Sequence, residues 1–401
     1  MDTRRTTEMS AHGHATSCAL AVAAIILVAI NLRPGIVSVG PLLPTIIDSF
    51  HLSHTTASLL VSIPDVLMGA LALPTPWLAR RFGRDNVILA AMLLLSAATL
   101  LRAMSNTTTQ LLGATFGVGA GIAITGALVG GFIKARFPTR AALFMGFYAT
   151  SLSLGSTVSA ALTGPIATQT SGGWRLAAGL WGALGIFAIG SWLFVTLAER
   201  RVRQPISAFT FHRLPIASPT AWLIAVYFAC INFLFYGLLS WCVPMYREAG
   251  LSSTLAGLAL ATFTAVFMLA NPIFGWISRS HDRRGWLAFC AALGVVGLVS
   301  IAMAPATLPF AAIACCAFGL GGAFTLGMTL PLDNTESVDE ANVWNAFVLT
   351  VAYLIAAGGP LLVGYLRDVN GNFRPSFILL ALVAVLMLSV TPLLHPHRRD
   401  S

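Results

Sequence analysis

The chain has 401 residues, 57% of them hydrophobic and only 9% charged, with a formal net charge of +9. A soluble domain carries about 25% charge, so the class that fits is a polytopic helical membrane protein, in which apolar stretches of about 20 residues each cross about 30 Å of hydrocarbon. A transmembrane β-barrel is excluded because its strands alternate polar and apolar over about ten residues, whereas these runs are apolar on both faces.

The N-terminal stretch MDTRRTTEMSAHGHATS is polar and basic. The apolar run after it is too long for a signal-peptide core and lacks a cleavage site. His12 and His14 read as part of a disordered tail rather than as metal ligands. Twelve apolar segments follow, near 18–43, 55–78, 86–104, 108–133, 140–167, 174–197, 219–246, 253–277, 285–304, 308–332, 341–366 and 374–394. The polar stretch ERRVRQPISAFTFHRLPIASP divides them equally. The expected organisation is a cytoplasmic tail 1–17, a six-helix bundle 18–198, a cytoplasmic linker 199–218, a second six-helix bundle 219–394 and a cytoplasmic tail 395–401. Cys18, Cys230, Cys242, Cys290, Cys315 and Cys316 all fall in apolar runs and read as helix-packing residues, not disulfides or metal ligands.

The basic residues fall on alternate connections. Seventeen of the 23 lysines and arginines lie in the tails and in the loops around Arg80, Arg81 and Arg84, Lys134 to Arg140, Arg200 to Arg213, and Arg279 to Arg284. Five lie on the other side: Arg102, Arg175, Arg247, Arg367 and Arg374. The positive-inside rule then puts both termini in the cytoplasm; the expected location is the inner (plasma) membrane. It also accounts for the net charge without nucleic acid. The tenth-to-eleventh connection dissents, with Asp333, Glu336, Asp339 and Glu340, but acidic residues contribute little to the rule.

Arg33 is the remaining cation, inside the first apolar segment. About 15 helical residues precede it, which sets it roughly 22 Å from the inner face at 1.5 Å per residue. Snorkelling could bring it to the outer interface, but a charge at this depth normally faces the bundle interior. A guanidinium there offers a fixed positive charge and planar donors to a small anion or electron-rich ligand. Pro34 and Gly35 weaken the helix beside it. Asp65, near the middle of the second segment, is a candidate proton carrier or a partner of Arg33. His51 and His54 flank the first outer loop. The glycine-rich stretches with Gly117, Gly119 and Gly121, and with Gly319, Gly321 and Gly322, suit close helix packing; no strand precedes them, so they are not a nucleotide fingerprint.

The two halves repeat at an offset of about 200 residues. AINLRPG (29–35) faces CINFLFYG (230–237), Asn31 meets Asn232, and Pro44 meets Pro244. WLARRFGRDN (77–86) faces WISRSHDRRG (276–285), and TGPIATQTSGGWR (163–175) resembles GGPLLVGYLRDVNGNFR (358–374). Two halves of the same orientation suit a secondary transporter that rocks one half against the other around a midplane site. This architecture resembles the major facilitator superfamily, whose second-to-third loop carries G-x-L-a-D-R-x-G-R-R. The match is clearest at LARRFGR (78–84), with Arg80, Arg81, Gly83 and Arg84 as the loop and gating candidates. Pro76 replaces the first glycine and Arg80 the aspartate. Within the superfamily, NLRPGIVSVGPLLP (31–44), the G-x-G-x-G-I-A of 117–123, GFIKARFP (131–138) and VAYLIAAGGPLLVGYLRDVNGNF (351–373) resemble the cyanate/2-nitroimidazole transporter family.

The resemblance implies an all-α membrane protein of twelve transmembrane helices in two pseudo-symmetric six-helix bundles. It implies a central cavity lined by the first and seventh spans, and an arginine on the first span at Arg33. Asp65 is not carried over, because the family has an apolar residue near there. Arg33, Asn31, Asn232, Tyr236, Phe235 and Trp241, with Tyr148, Asn345 and Tyr353 on the fifth and eleventh spans, are the candidate solute-binding residues. The expected function is secondary transport of a small anionic or polar heteroaromatic solute by alternating access, with protons as a candidate coupling ion. A multidrug or metabolite exporter of the same superfamily is the alternative, since Gly155 and Gly164-Pro165 partly match the exporters' fifth-span motif. A non-transporting receptor on this fold would leave Arg33 without a solute. No catalytic constellation is legible. The expected partners are the lipid bilayer and a small solute, with no cofactor, no metal and a monomeric state.

Overall fold

The computed structural model describes residues 19–137, 140–199, 214–278, 282–335 and 338–395. Arg4, Arg5, His12, His14, Cys18, Arg200, Arg201, Arg203, Arg213, Arg279, Glu336, Arg398 and Arg399 lie outside the described residues, as does most of the linker between the halves.

Six long helices form the first half. They are Ala19–Phe50, His54–Ala72, Arg84–Ala103, Thr108–Arg136, Ala141–Gln169 and Gly173–Glu199. The second half repeats them as Pro219–Glu248, Ser253–Ile277, Arg284–Met303, Pro309–Asp333, the pair Val338–Ala356 and Gly358–Asn370, and Arg374–Val390. They are named below as the first to the twelfth span. Eleven are long and apolar enough to cross a membrane. The fifth is long enough but richer in hydroxyls, which it returns to its own backbone: Ser156 donates to Leu152, Ser159 to Ser156 and Thr163 to Ser159. Such back-bonding satisfies a hydroxyl in a medium without water.

Helix starts follow the local chemistry. Ser53, Thr107, Ser218 and Ser252 each precede a span, and each side chain accepts from the backbone N–H three residues on. These are the side-chain caps that satisfy first-turn donors. The second span ends at Ala72, earlier than hydropathy suggests. Pro74 and Pro76 lack the N–H needed to continue it, so the chain restarts as a short helix, Thr75–Phe82. Gly83 then turns at φ +84°, a conformation that favours glycine.

The five described cysteines are all free thiols. The glycines of the fourth and tenth spans hold close helix contacts. A Cβ on Gly119 would lie 2.7 Å from the Pro64 Cα, and one on Gly321 would lie 2.5 Å from the Phe267 carbonyl. Arg283 resolves the dissenting acidic loop. Its Nε and Nη2 lie 2.6 and 3.4 Å from the two carboxylate oxygens of Asp333. The tenth-to-eleventh connection therefore shares a face with the basic eighth-to-ninth connection.

Among the described residues the halves meet chiefly along three pairs of spans. The first and seventh approach where Gly40 faces the Leu239 carbonyl. The second and eleventh are joined by hydrogen bonds from Ser58 to the Pro360 carbonyl, 2.8 Å, and from Ser62 to the Ala357 carbonyl, 2.7 Å. The fifth and eighth meet through Thr157 and Thr264, 3.1 Å apart. The seventh span is the most enclosed: 89% of its apolar window is buried.

Candidate functional site

The first span keeps helical backbone angles throughout, but its hydrogen-bond ladder breaks at Arg33 and at Ser38, on either side of the short segment Pro34–Val37, before it resumes as Val39–Phe50. Pro34 and Pro41 supply the cause, since each removes an amide donor from the ladder. A break of this kind frees backbone groups, which is tolerated at membrane depth only inside protein or beside a cavity. Here the Gly35 carbonyl accepts from Nη1 of Arg102 at 2.9 Å.

Arg33 stands half-buried at this break, facing the other half of the molecule. Its Nη1 lies 3.4 Å from the Tyr236 hydroxyl of the seventh span. The Tyr236 and Tyr353 rings are 6.2 Å apart, so the seventh and eleventh spans present two phenols together. Tyr353 and Tyr148 are both within electrostatic reach of the guanidinium. Asp65 is also within its reach. The Asp65 side chain is fully buried, and neither carboxylate oxygen has a hydrogen-bond partner among the described residues.

The second half supplies an apolar flank. Phe235 packs against Phe267 at 4.9 Å and Phe263 at 5.5 Å, and Phe267 packs against Phe324 at 5.6 Å. The first half thus brings the charges and the second half brings aromatic rings. This asymmetry suits a small electron-rich solute, because such sites combine an apolar lining with a few placed polar groups.

None of the remaining candidates bonds to Arg33, Tyr236 or Tyr353 among the described residues. Asn31 turns into the first half, where its Nδ2 would lie 3.3 Å from a Cβ on Gly185 of the sixth span. Asn232 donates to the Phe228 carbonyl of its own helix at 2.8 Å. Asn345 carries a buried Oδ1 without a hydrogen-bond partner among the described residues. Trp241 is fully buried and donates to the Pro360 carbonyl at 2.9 Å, while its ring packs on His54 and Phe373. It belongs to a seal at one end of the bundle.

Asp368 of the eleventh span is the centre of that seal. It accepts from the backbone N–H groups of His54 and Thr55 at 2.9 and 2.8 Å and from the Thr55 hydroxyl at 2.6 Å. Its Oδ1 also lies 2.7 Å from Nδ1 of His54. A carboxylate from one half therefore caps a helix of the other. The Arg80 motif lies at the opposite end. Arg81 sits over Trp77 and Phe82, each 5.5 Å from ring centre, while Arg84 bonds Asp85 at 3.1 Å and covers Phe132. Exposed Trp77 and Phe82 beside exposed Arg80 and Arg81 are the composition of a helix lying in the interface plane.

Three features escape sequence reasoning. Phe267 and Phe324 look like any of the 24 phenylalanines. Asp368 looks like a loop acid. Arg102 sits in the last turn of an apolar run, where a snorkelling arginine is ordinary, yet it is only 3% exposed. Its position within TLLRAM was the available signal.

Comparison with known proteins agrees with this fold. The Major Facilitator Superfamily profile matches residues 19–357 and, overlapping, 242–400. The cyanate transport protein CynX of Escherichia coli (strain K12) is 31% identical over 92% of this chain and 95% of its own. The 2-nitroimidazole transporter of the same organism is 29% identical over 91% of this chain and 93% of its own. A probable nitrate transporter, NarT of Staphylococcus carnosus (strain TM300), is 25% identical over 87% of this chain and 89% of its own. Among solved structures, a bacterial homologue of the human lysosomal transporter Spinster, inward-facing and occupied, superposes with a TM-score of 0.78 at 19% identity over 94% of this chain and 96% of its own.

Proposed function

Because the chain belongs to the major facilitator superfamily, and within it to the cyanate/2-nitroimidazole transporter family, we propose that it moves a small anionic or polar heteroaromatic solute across the inner membrane by alternating access, with both termini cytoplasmic. One observation carries the reading. Arg33 is half-buried at a helix break and reaches the Tyr236 hydroxyl across the line between the halves. A solute bound between that guanidinium and the phenols of Tyr236 and Tyr353 touches both halves, so its binding energy differs between conformations. Only such differential binding can shift a conformational equilibrium. The relatives named for cyanate, 2-nitroimidazole and nitrate support a solute of this size and electron density.

The seal around Asp368 closes the end that the positive-inside rule assigns to the outer face. Asp65 supplies a route to proton coupling. An anion that neutralises Arg33 removes the cation balancing the buried Asp65 carboxylate, so solute and proton travel together.

The test is ligand-dependent thermal stabilisation of the purified protein with cyanate, nitrate and 2-nitroimidazole. A ligand that binds only the folded state raises the melting temperature by linkage. Arg33→Gln is expected to remove the shift while keeping the unliganded melting temperature. A variant that binds as tightly as wild type refutes the site.

A further inference from the structure

A second buried arginine stands behind the first. Arg102 lies in the last turn of the third span and is 3% exposed. Its Nη1 bonds the Gly35 carbonyl, two residues beyond Arg33 and inside the short helix Pro34–Val37. Gly35 faces Val118, Ile122 and Leu95, so this contact is made on the side of the first span turned into the first half. Arg33 points the other way, toward Tyr236. The two cations therefore flank one broken helix, front and back.

The support for Arg102 is itself built. Arg175 of the sixth span donates from Nη1 to the carbonyls of Ala103 and Ser105, at 3.0 and 2.6 Å, and covers the Trp174 ring at 4.7 Å. The end of the third span is thereby held where Arg102 can reach Gly35. No carboxylate bonds to or pairs with Arg102 among the described residues. A neutral donor such as glutamine would satisfy one carbonyl without the desolvation that a buried charge requires.

We infer that Arg102 is a positioning and specificity-determining residue of the solute site: it holds the break that aims Arg33 toward Tyr236, and its buried charge favours an anion over a neutral solute of similar shape. This inference rests on the solute site proposed above. Across a helix about 10 Å thick, at an effective dielectric of about 20, one unit charge changes anion binding on the order of tenfold. A neutral solute is not moved by that charge.

The experiment compares two probes on folded wild-type, Arg102→Gln and Arg102→Lys proteins, reconstituted in the same lipid. The probes are nitrate and, in mildly acidic buffer where its ring stays neutral, 2-nitroimidazole. Arg102→Gln is expected to weaken nitrate on the order of tenfold and to leave 2-nitroimidazole within about twofold. Arg102→Lys, which keeps the charge, is expected to recover most of the nitrate affinity. Equal loss of both probes in Arg102→Gln, or no loss of either, overturns the inference. If Arg102→Gln does not fold, Arg102→Lys decides: an unchanged nitrate-to-nitroimidazole ratio supports the inference, and a ratio collapsed toward the neutral probe overturns it. The two readings fail differently. A wild-type protein that binds neither probe overturns the solute site and this inference with it. Wild-type binding that Arg33→Gln abolishes and Arg102→Gln leaves intact overturns this inference alone.

Discussion

Replacing Asp368 with alanine unties the seal at the His54 end. The carboxylate satisfies two first-turn donors of the second span, the backbone N–H groups of His54 and Thr55, together with the Thr55 hydroxyl and the His54 ring. Losing a helix cap costs about 1 kcal/mol. A hydrogen bond to a charged acceptor contributes about 1.5–3 kcal/mol. The His54 pair adds little, because its side chains are 26% and 25% exposed and such pairs contribute about 0–1 kcal/mol. The gross contribution is therefore about 3–4 kcal/mol. The His54 and Asp368 side chains are about a quarter exposed, and water hydrogen bonds are nearly as good as direct ones, so roughly half of this is recovered when the seal opens. About 1.5–2 kcal/mol remains to favour the closed form, a factor of roughly ten to thirty in the ratio of states.

Spin labels can read that ratio. Ser49 and Asn370 are exposed at this end, one in each half, and cysteines placed there in a background without the native thiols report the separation directly. Wild-type protein is expected to show a short distance as the main population. Asp368→Ala is expected to add a longer component at a sizeable fraction of the molecules. A folded Asp368→Ala protein whose distance distribution matches wild type refutes the latch.

Asp65→Asn is expected to leave solute binding within a few-fold while abolishing accumulation driven by a proton gradient in proteoliposomes; a variant still driven by the gradient removes Asp65 from the coupling. Gly40→Ala places a Cβ 2.5 Å from the Leu239 carbonyl. Overpacking of this kind costs about 1–3 kcal/mol, so the variant is expected to melt several degrees lower and to populate the longer Ser49–Asn370 distance; an unchanged melting curve shows that the two spans do not approach this closely.

Much of the molecule was legible before any coordinates. Hydropathy, alternating basic loops and a repeat near 200 residues are one-dimensional properties, and they determine the spans and the two halves; the superfamily came from the resemblance of short motifs such as LARRFGR. Arg33 was legible for the same reason: a guanidinium in an apolar run is an energetic anomaly wherever its neighbours lie. Partnership is different, because it depends on which face of each helix turns where. Asn31 and Asn232 occupy matching places in the repeat, yet one turns toward Gly185 and the other folds back on Phe228. Trp241 sits five residues beyond Tyr236, roughly 140° further round the helix, and it closes the seal instead of facing Arg33. The short helix at Thr75–Phe82 follows from Pro74 and Pro76, local chemistry that a hydropathy window averages away. Arg102 and Asp368 were hidden because an arginine at a helix end and an aspartate near a loop are ordinary residues in one dimension. Packing alone decided that the arginine is buried behind the broken first span, and that the aspartate caps a helix of the opposite half. A hydrogen-bonding side chain takes its role from the backbone group brought to it, and residues more than sixty or three hundred positions away supplied those groups.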